Sequence, residues 1–363
     1  MTRIRPTRQQ VLATLSAPAA ALGLAIVVTA LALLAGGHNP FVAFGKMAHY
    51  LGSVDSVVVV INKSLPLFVA GLAVAIGFKT NLFNIGAEGQ YRLAVIVAGA
   101  CGAAIPGPGW WRILVTMVIA VVVGALWSGI AGVLKAYRNV NEVIATIMLN
   151  GVVASLIGML LKWRLIAKVE GNQRVTKLFP KSAFFPEWTI KGSNLHLWVI
   201  IAVILGFAWH YLVNRSRFGF DLRASGLNPG AARSSGVDPK RMIITTMLIS
   251  GGLAGLIGMP VLLHDTHKVT LEFPSGYGFA GIAIALVGRQ KVGGIAIAAL
   301  LFAAIARMSQ VLPDPPLQAP KEIGTIMQGT MILAAVIAYE VVRRRAEAAA
   351  VRDAAARTTG VTA

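Results

Sequence analysis

Ten apolar runs, separated by short and mostly basic segments, constrain the fold of this chain more than any other feature of its sequence. Most of them reach the roughly 20 residues that a helix needs to cross the hydrocarbon core of a bilayer. The sequence therefore predicts an all-α, polytopic integral membrane protein with about ten transmembrane helices, some of them broken or half helices. The predicted runs are 18–36, 56–78, 84–104, 111–134, 143–161, 195–213, 242–263, 278–288, 293–312 and 323–342.

Composition supports a membrane protein and excludes several other classes. Charged residues make up 13% of the chain and hydrophobic residues 56%, whereas soluble domains carry about 25% charged residues. The same numbers exclude a disordered chain. Cys101 is the single cysteine, so a disulfide framework or a cysteine-based metal site is excluded.

The charge of the chain is strongly basic, with 33 Lys and Arg against 14 Asp and Glu. A net charge of +19 would suggest nucleic acid as the partner of a soluble protein. In a membrane protein, basic loops mark the cytoplasmic side, so no nucleic-acid partner is needed. Ten spans then predict cytoplasmic tails at 1–17 and 343–363, with one transmembrane domain over 18–342 between them. The basic residues assigned to the inner side are Arg3, Arg5, Arg8, Lys135, Arg138, Arg215, Arg217, Arg223, Arg233, Lys240, Arg241, Arg289, Lys291, Arg343, Arg344, Arg345, Arg352 and Arg357.

The loop 162–194 conflicts with this assignment, because the ten-span count places it outside although it is basic. Its cations are Lys162, Arg164, Lys168, Arg174, Lys177, Lys181 and Lys191. Two explanations remain open: an interface with an acidic partner, or a miscounted span. The first is favoured because the other loops agree with the positive-inside rule.

Polar residues concentrate at 77–91, a stretch that apolar sequence flanks closely on both sides. A polar group at membrane depth needs a partner or water, and irregular backbone survives there only inside protein or beside a cavity. One interpretation is therefore a helix break that lines a polar pathway. The other is an ordinary cytoplasmic turn, with Glu88 as a charge in the first turn of the next helix. The side chains that could face the pathway are Phe78, Asn81, Phe83, Asn84, Glu88 and Gln90.

Asn150 lies within the apolar run 143–161, about two turns beyond the helix-start signal Asn141–Glu142. A buried interhelical hydrogen bond is the favoured role of such a side chain, and a substrate contact is the alternative. In other runs, small residues at Ser128, Gly132, Gly251, Gly255 and Gly258 predict close helix packing.

The long loop 214–241 contains both a helix start and a helix stop. Asn228–Pro229 is typical of a start, and Gly236 of a stop. The pattern predicts a short helix over 229–235 on the inner membrane surface, which would suit a docking element. A solvated basic loop is the alternative.

Motifs for catalysis and ATP binding are missing from the sequence. It contains no G-x-x-x-x-G-K-[ST], no H-E-x-x-H, no C-x-x-C and no G-x-S-x-G. His264, Asp265 and His267 come closest to a metal site, but interfacial polarity is the favoured interpretation. We therefore predict no enzyme, no catalytic residue, no metal and no cofactor in this chain.

The motifs resemble the permease subunits of nucleoside-type ABC importers, within the wider group that imports ribose-like sugars and branched-chain amino acids. The most specific matches are Leu82-Phe-Asn-Ile-Gly-Ala-Glu-Gly-Gln90 and Asn141-Glu-Val-Ile144. Further matches follow in order over most of 64–340, including Arg223-Ala-Ser-Gly-Leu-Asn-Pro-Gly-Ala-Ala232 and Gly281-Ile-Ala-Ile-Ala-Leu-Val-Gly-Arg289.

The resemblance implies a multi-pass subunit of the bacterial cytoplasmic membrane that pairs with a second, related permease. It also implies a cytoplasmic ATPase that binds the ATP, and a substrate-binding lipoprotein outside. Residues 224–240 would couple to the ATPase, and 81–90 would line the central pathway. Asn150 is a further pathway candidate, from its own place in an apolar run. The coupling-loop residues are Ser225, Asn228, Pro229, Ala231, Ala232, Arg233 and Gly236.

Three functions remain open at this point. The chain imports nucleosides by alternating access, or it has the same architecture and imports a sugar, a branched-chain amino acid or a purine-like solute. The third possibility is an ion-coupled secondary transporter. Such a transporter usually needs intramembrane acids, and apart from Glu88 the runs offer few.

Overall fold

The computed structural model describes residues 23–163, 166–334 and residue 337, and most of these are helical. The predicted tails 1–17 and 343–363, and parts of the first and last apolar runs, lie outside the described residues. The helices are α1 (Gly23–Ala35), α2 (Pro40–Leu51), α3 (Val54–Lys79), α4 (Ala87–Ala104), α5 (Gly109–Arg138), α6 (Glu142–Lys162), α7 (Trp198–Arg215), α8 (Arg217–Leu227), α9 (Pro229–Ser234), α10 (Pro239–Gly255), α11 (Tyr277–Val287), α12 (Val292–Met308) and α13 (Ile323–Ala334).

The described residues form two compact units, one within 54–303 and one made of 23–53 with those from 304 onward. In the described part of the smaller unit, the Arg307 guanidinium lies 4.7 Å from the centre of the Tyr50 ring. A side chain at Gly324 would meet Ser309 at 2.4 Å, so α13 packs closely on the turn Ser309–Val311. All site residues discussed below belong to the larger unit.

Five stretches of the described chain are long and apolar enough to cross a membrane: α3, α5, α6, α7 and the segment Val292–Val311. α11 is shorter, with 11 residues, as expected for the run 278–288. These lengths and compositions fit a polytopic membrane protein.

Small residues bring α5 and α10 into backbone contact. A side chain carbon at Gly251 would lie 2.3 Å from the carbonyl oxygen of Gly124, and one at Gly255 would lie 2.0 Å from that of Ala120. Gly258 packs similarly against Val95, at 2.2 Å. The predicted close packing of the small residues is confirmed at these positions.

Two features of the helical part differ from the prediction. The run 242–263 is not one helix: α10 ends at Gly255, and a π-helical segment follows at Val261–Thr266. Pro260 explains the break, because proline lacks an N–H and its ring clashes with the preceding turn. The second difference is α2, a helix that lies between the predicted runs 18–36 and 56–78. The Asn39 side chain accepts hydrogen bonds from the first turn of α2.

The loop 162–194 corrects the prediction of an all-α protein, because its described residues contain four short strands. β1 (Ala167–Glu170) pairs with β2 (Gln173–Thr176), and β3 (Glu187–Ile190) pairs with β4 (Ser193–His196), both antiparallel. Each hairpin closes through two residues. Gly171 has φ +62°, and Lys191–Gly192 have φ +47° and +86°, values typical of tight hairpin turns.

Candidate functional site

The polar stretch 77–91 forms a break between α3 and α4. α3 ends at Lys79, Asn81 takes a left-handed φ of +57°, and the Leu82 amide turns back to the Gly77 carbonyl oxygen at 3.0 Å. The Leu82 side chain is buried against Ala131, Ala145 and Met247. α3 and α4 are therefore separated as either interpretation requires, and we call this segment, which is anchored in the core of the larger unit, the helix break.

Asn84 and Gln90 form a closed amide pair inside the protein. Asn84 Nδ2 donates to Gln90 Oε1, and Gln90 Nε2 donates to Asn84 Oδ1, both at 2.9 Å. Asn84 also donates to Ser250 Oγ at 2.8 Å, and Ser250 donates to the Ala73 carbonyl at 2.6 Å. All these side chains are buried. The network ties the break to α3 and α10.

Glu88 is buried and holds the start of α11. Its Oε1 accepts from the backbone N–H of Gly276 at 2.8 Å, and its Oε2 from that of Gly278 at 3.0 Å. The Tyr91 hydroxyl lies 3.2 Å from Oε1. A side chain on Gly278 would meet the Glu88 backbone at 2.3 Å, so only glycine fits there. Glu88 lies in the first turn of α4, but its carboxylate neutralises the positive end of α11.

Asn150 makes the interhelical contact that the sequence favours. Its Oδ1 accepts from the Gly89 N–H at 2.9 Å, and its Nδ2 donates to the Ile85 carbonyl at 3.0 Å. A side chain at Gly89 would meet Asn150 at 2.6 Å. α6 is thereby fixed to the first turn of α4.

The predicted pathway residues thus divide into two groups. Asn84, Glu88, Gln90 and Asn150 hydrogen-bond within the protein, whereas Asn81 and Phe83 are exposed. The Phe83 and Phe78 rings lie 4.9 Å apart, centre to centre. Exposed Asn81 and Phe83, with the half-buried Phe78 ring, combine an amide with an aromatic pair, and these can offer a solute hydrogen bonds and a stacking face.

The loop 214–241 contains the predicted short helix, α9. Asn228 Oδ1 accepts from the N–H groups of Gly230 and Ala231 at 3.0 and 3.1 Å. Gly236 follows with φ +84°. The sequence prediction of a helix over 229–235 is confirmed, with α9 ending at Ser234.

The residues of this loop divide into buried and exposed ones. Ser225 and Ala232 are buried, while Pro229, Ala231 and Arg233 are exposed. Leu227 is 88% exposed, an unusual state for leucine. We call these four exposed residues, Leu227, Pro229, Ala231 and Arg233, the coupling face.

α8 connects this loop directly to the helix break. A side chain at Gly226 would lie 2.5 Å from the Lys79 carbonyl oxygen and 2.8 Å from the Thr80 Cα. Any displacement of α8 therefore acts directly on the start of the 77–91 stretch.

His196, the last residue of β4, lies close to His264 and Asp265. The side-chain ligand atoms of these three residues lie within 4.8 Å of one another. Burial is the main reason why the pKa of His196 is lowered to about 4, and the nearby His264 lowers it further. The His196 ring is therefore neutral at pH 7. Among the described residues, this is the group that could hold a metal ion. The sequence did not reveal it, because His196 is distant in the chain from the other two.

Comparison with known proteins identifies a family and several relatives. Residues 56–336 match the family described as branched-chain amino acid transport system / permease component. The chain is 32% identical to a guanosine ABC transporter permease protein of Bacillus subtilis, over 91% of this chain and 95% of that protein. It is 31% identical to a nucleoside ABC transporter permease protein of Lactococcus lactis, over 79% of this chain and 82% of that protein. It is also 30% identical to a glucose ABC transporter permease protein of Haloferax volcanii, over 77% of this chain and 76% of that protein. No solved structure matches.

Proposed function

We propose a substrate and a coupling route for this chain, which belongs to the branched-chain amino acid transport system / permease component family and is a multi-pass permease of an ABC importer. The substrate that we propose is a nucleoside. The observation that carries this proposal is the similarity to the guanosine permease of Bacillus subtilis, which extends over nearly the full length of both chains.

The exposed group at the helix break supports a neutral, aromatic solute. Ligand sites combine apolar and aromatic faces with a few placed polar groups, and Phe78, Phe83 and Asn81 supply both. A sugar is the second candidate, favoured by the similarity to the glucose permease of Haloferax volcanii. Family membership argues against the ion-coupled transporter.

We further propose that the chain acts in the bacterial inner membrane with three kinds of partner. These are a cytoplasmic ATPase, a second related permease and a substrate-binding lipoprotein outside. Basic residues of the described inner loops, such as Arg215, Arg217 and Arg241, support a cytoplasmic position for the coupling face. The proposed topology has ten spans and both termini inside.

The coupling route runs from the coupling face through α8 to the helix break. Because Gly226 contacts the backbone of Lys79 and Thr80, movement of α8 on ATP binding displaces the end of α3. The buried network of Asn84 and Gln90 transmits this displacement to α4 and α10. The solute pathway opens on one side and closes on the other in response.

Uptake by whole cells tests the proposed substrate. Deletion of this subunit alone should abolish uptake of labelled guanosine, and a plasmid copy should restore it. Labelled glucose and leucine serve as controls and should enter at unchanged rates. Unchanged guanosine uptake after deletion would contradict the proposal, whereas a selective loss of glucose uptake would favour the sugar.

A charge placed on the coupling face should detach the ATPase. Leu227→Asp puts a carboxylate where an apolar side chain, 88% exposed, would be covered by the partner. We expect at least a tenfold loss of co-purified ATPase, which corresponds to about 1.4 kcal/mol. The matched control is Val169→Asp in β1, where the side chain is 66% exposed in the outer loop. Equal ATPase recovery for both variants would exclude this face as the docking surface.

A further inference from the structure

The cluster of His196, His264 and Asp265 joins two segments that are distant in sequence. His196 ends β4, while His264 and Asp265 lie in the π-helical segment that follows α10. We call these three residues the histidine cluster. None of them takes part in the helix break or in the coupling face.

The spacing of the donor atoms fits a small tetrahedral metal ion. Asp265 Oδ1 lies 3.2 Å from His264 Nδ1 and 3.5 Å from His196 Nε2. In a tetrahedral zinc site with bonds of about 2.0–2.1 Å, neighbouring ligand atoms are about 3.3 Å apart. In the stacked arrangement, the carboxylate oxygen thus lies at about this separation from each nitrogen, and all three ligand atoms lie within 4.8 Å of one another.

Glu187 supplies the outer contact that zinc-bound histidines commonly have. The second nitrogen of His264, Nε2, lies 2.8 Å from Glu187 Oε2. Such a carboxylate fixes the tautomer and ring orientation of a histidine that binds metal through its other nitrogen. With the proton on Nε2, the lone pair of His264 Nδ1 points toward the cluster.

A cavity of about 270 Å³ adjoins the histidine cluster. Its lining includes His196, Asp265, Asn62, Lys63 and Tyr277. His196 Nδ1 is buried and makes no hydrogen bond within the protein. The cavity leaves room for a fourth, exchangeable ligand such as water, which is typical of open zinc sites.

The two imidazole rings are stacked in this structure, with centres 3.3 Å apart and planes 27° apart. A metal ion must lie near the plane of each ring, so binding requires the rings to rotate out of the stack. His196 lines the cavity, and the cavity gives its ring the space to turn. Metal binding would thereby replace a contact between two rings by a bridge through the ion.

We propose that His196, His264 and Asp265 bind one Zn²⁺ ion, with Glu187 orienting His264. Two imidazole nitrogens favour zinc over magnesium or calcium, which prefer oxygen ligands. The ion would connect the β3–β4 hairpin to the segment after α10. It would therefore stiffen this side of the permease without taking part in ATP binding or in the helix break.

Zinc titration of the purified full-length chain, carrying a tag without histidine, tests this proposal. Competition with a fluorescent zinc chelator should give one Zn²⁺ per chain. His196→Ala and His264→Ala should each abolish stoichiometric binding, and Glu187→Gln should weaken it by about 10–100-fold. His210→Ala is the matched control, because His210 is exposed on α7 outside the cluster, and it should bind zinc as the wild type does.

Two further measurements keep the result interpretable. Thermal unfolding without zinc shows whether a variant that loses binding is still folded. X-ray absorption at the zinc edge should show two imidazole nitrogens in the wild type. Absence of stoichiometric zinc in the wild type, or full binding in folded His196→Ala and His264→Ala chains, would overturn the proposal.

Discussion

Replacing Glu88 by alanine should destabilise the permease severely and abolish transport. The substitution leaves the buried N–H of Gly278 and the half-buried N–H of Gly276 without their acceptor. An unsatisfied buried group costs about 1–3 kcal/mol, so the free energy of unfolding should fall by at least roughly that amount. Thermal unfolding of the purified chain in detergent, followed by tryptophan fluorescence, measures the loss.

Two variants control this experiment. Glu88→Gln keeps one side-chain oxygen as an acceptor and should lose markedly less stability than Glu88→Ala. Glu272→Ala removes an exposed glutamate and should unfold within a degree or two of the wild type. If Glu88→Ala unfolded as the wild type does, the carboxylate would not hold α11.

Valine at Gly251 should separate α5 from α10. Even a single added carbon would lie 2.3 Å from the carbonyl oxygen of Gly124 and 2.3 Å from Ser128 Cβ. Overpacking typically costs about 1–3 kcal/mol, and we expect at least the upper value because a backbone atom cannot rotate away. The measurement is the yield of monodisperse protein together with its unfolding temperature.

Gly151→Val is the matched control for this substitution. Gly151 is also a helical glycine, but nothing lies within 4 Å of the position of an added Cβ. Its stability should stay close to that of the wild type, since an added side chain meets nothing there and valine is a slightly better helix former than glycine. Similar losses for both variants would show that close packing of α5 and α10 is not what Gly251 provides.

Local signals predicted the helical part well where they agreed with the packing. The Asn228–Pro229 signal gave the start of α9, and the glycines of α10 indicated its close contact with α5. Asn39–Pro40 is the same type of signal, and Asn39 caps α2 in the same way, although this helix lies outside the predicted apolar runs. The basic charge of the loop 162–194 does not indicate the hairpin turn at Lys191–Gly192.

The roles of the polar residues could not be predicted, because they depend on distant partners. The sequence shows that Glu88 follows a helix break, but not that Gly276 and Gly278 receive its carboxylate. Likewise, nothing near His264 in sequence indicates that His196 lies beside it. Composition and periodicity report which surface is apolar, whereas these contacts arise from tertiary packing.

In the proposed mechanism, this permease couples nucleoside import to ATP hydrolysis by a partner subunit. The most direct measurement is the ATPase rate of the complete complex in proteoliposomes, with its substrate-binding protein and guanosine. Guanosine should raise the rate severalfold above the rate without solute, and glucose should not. An ATPase rate that is unaffected by guanosine, in a complex that retains all its subunits, would contradict the account.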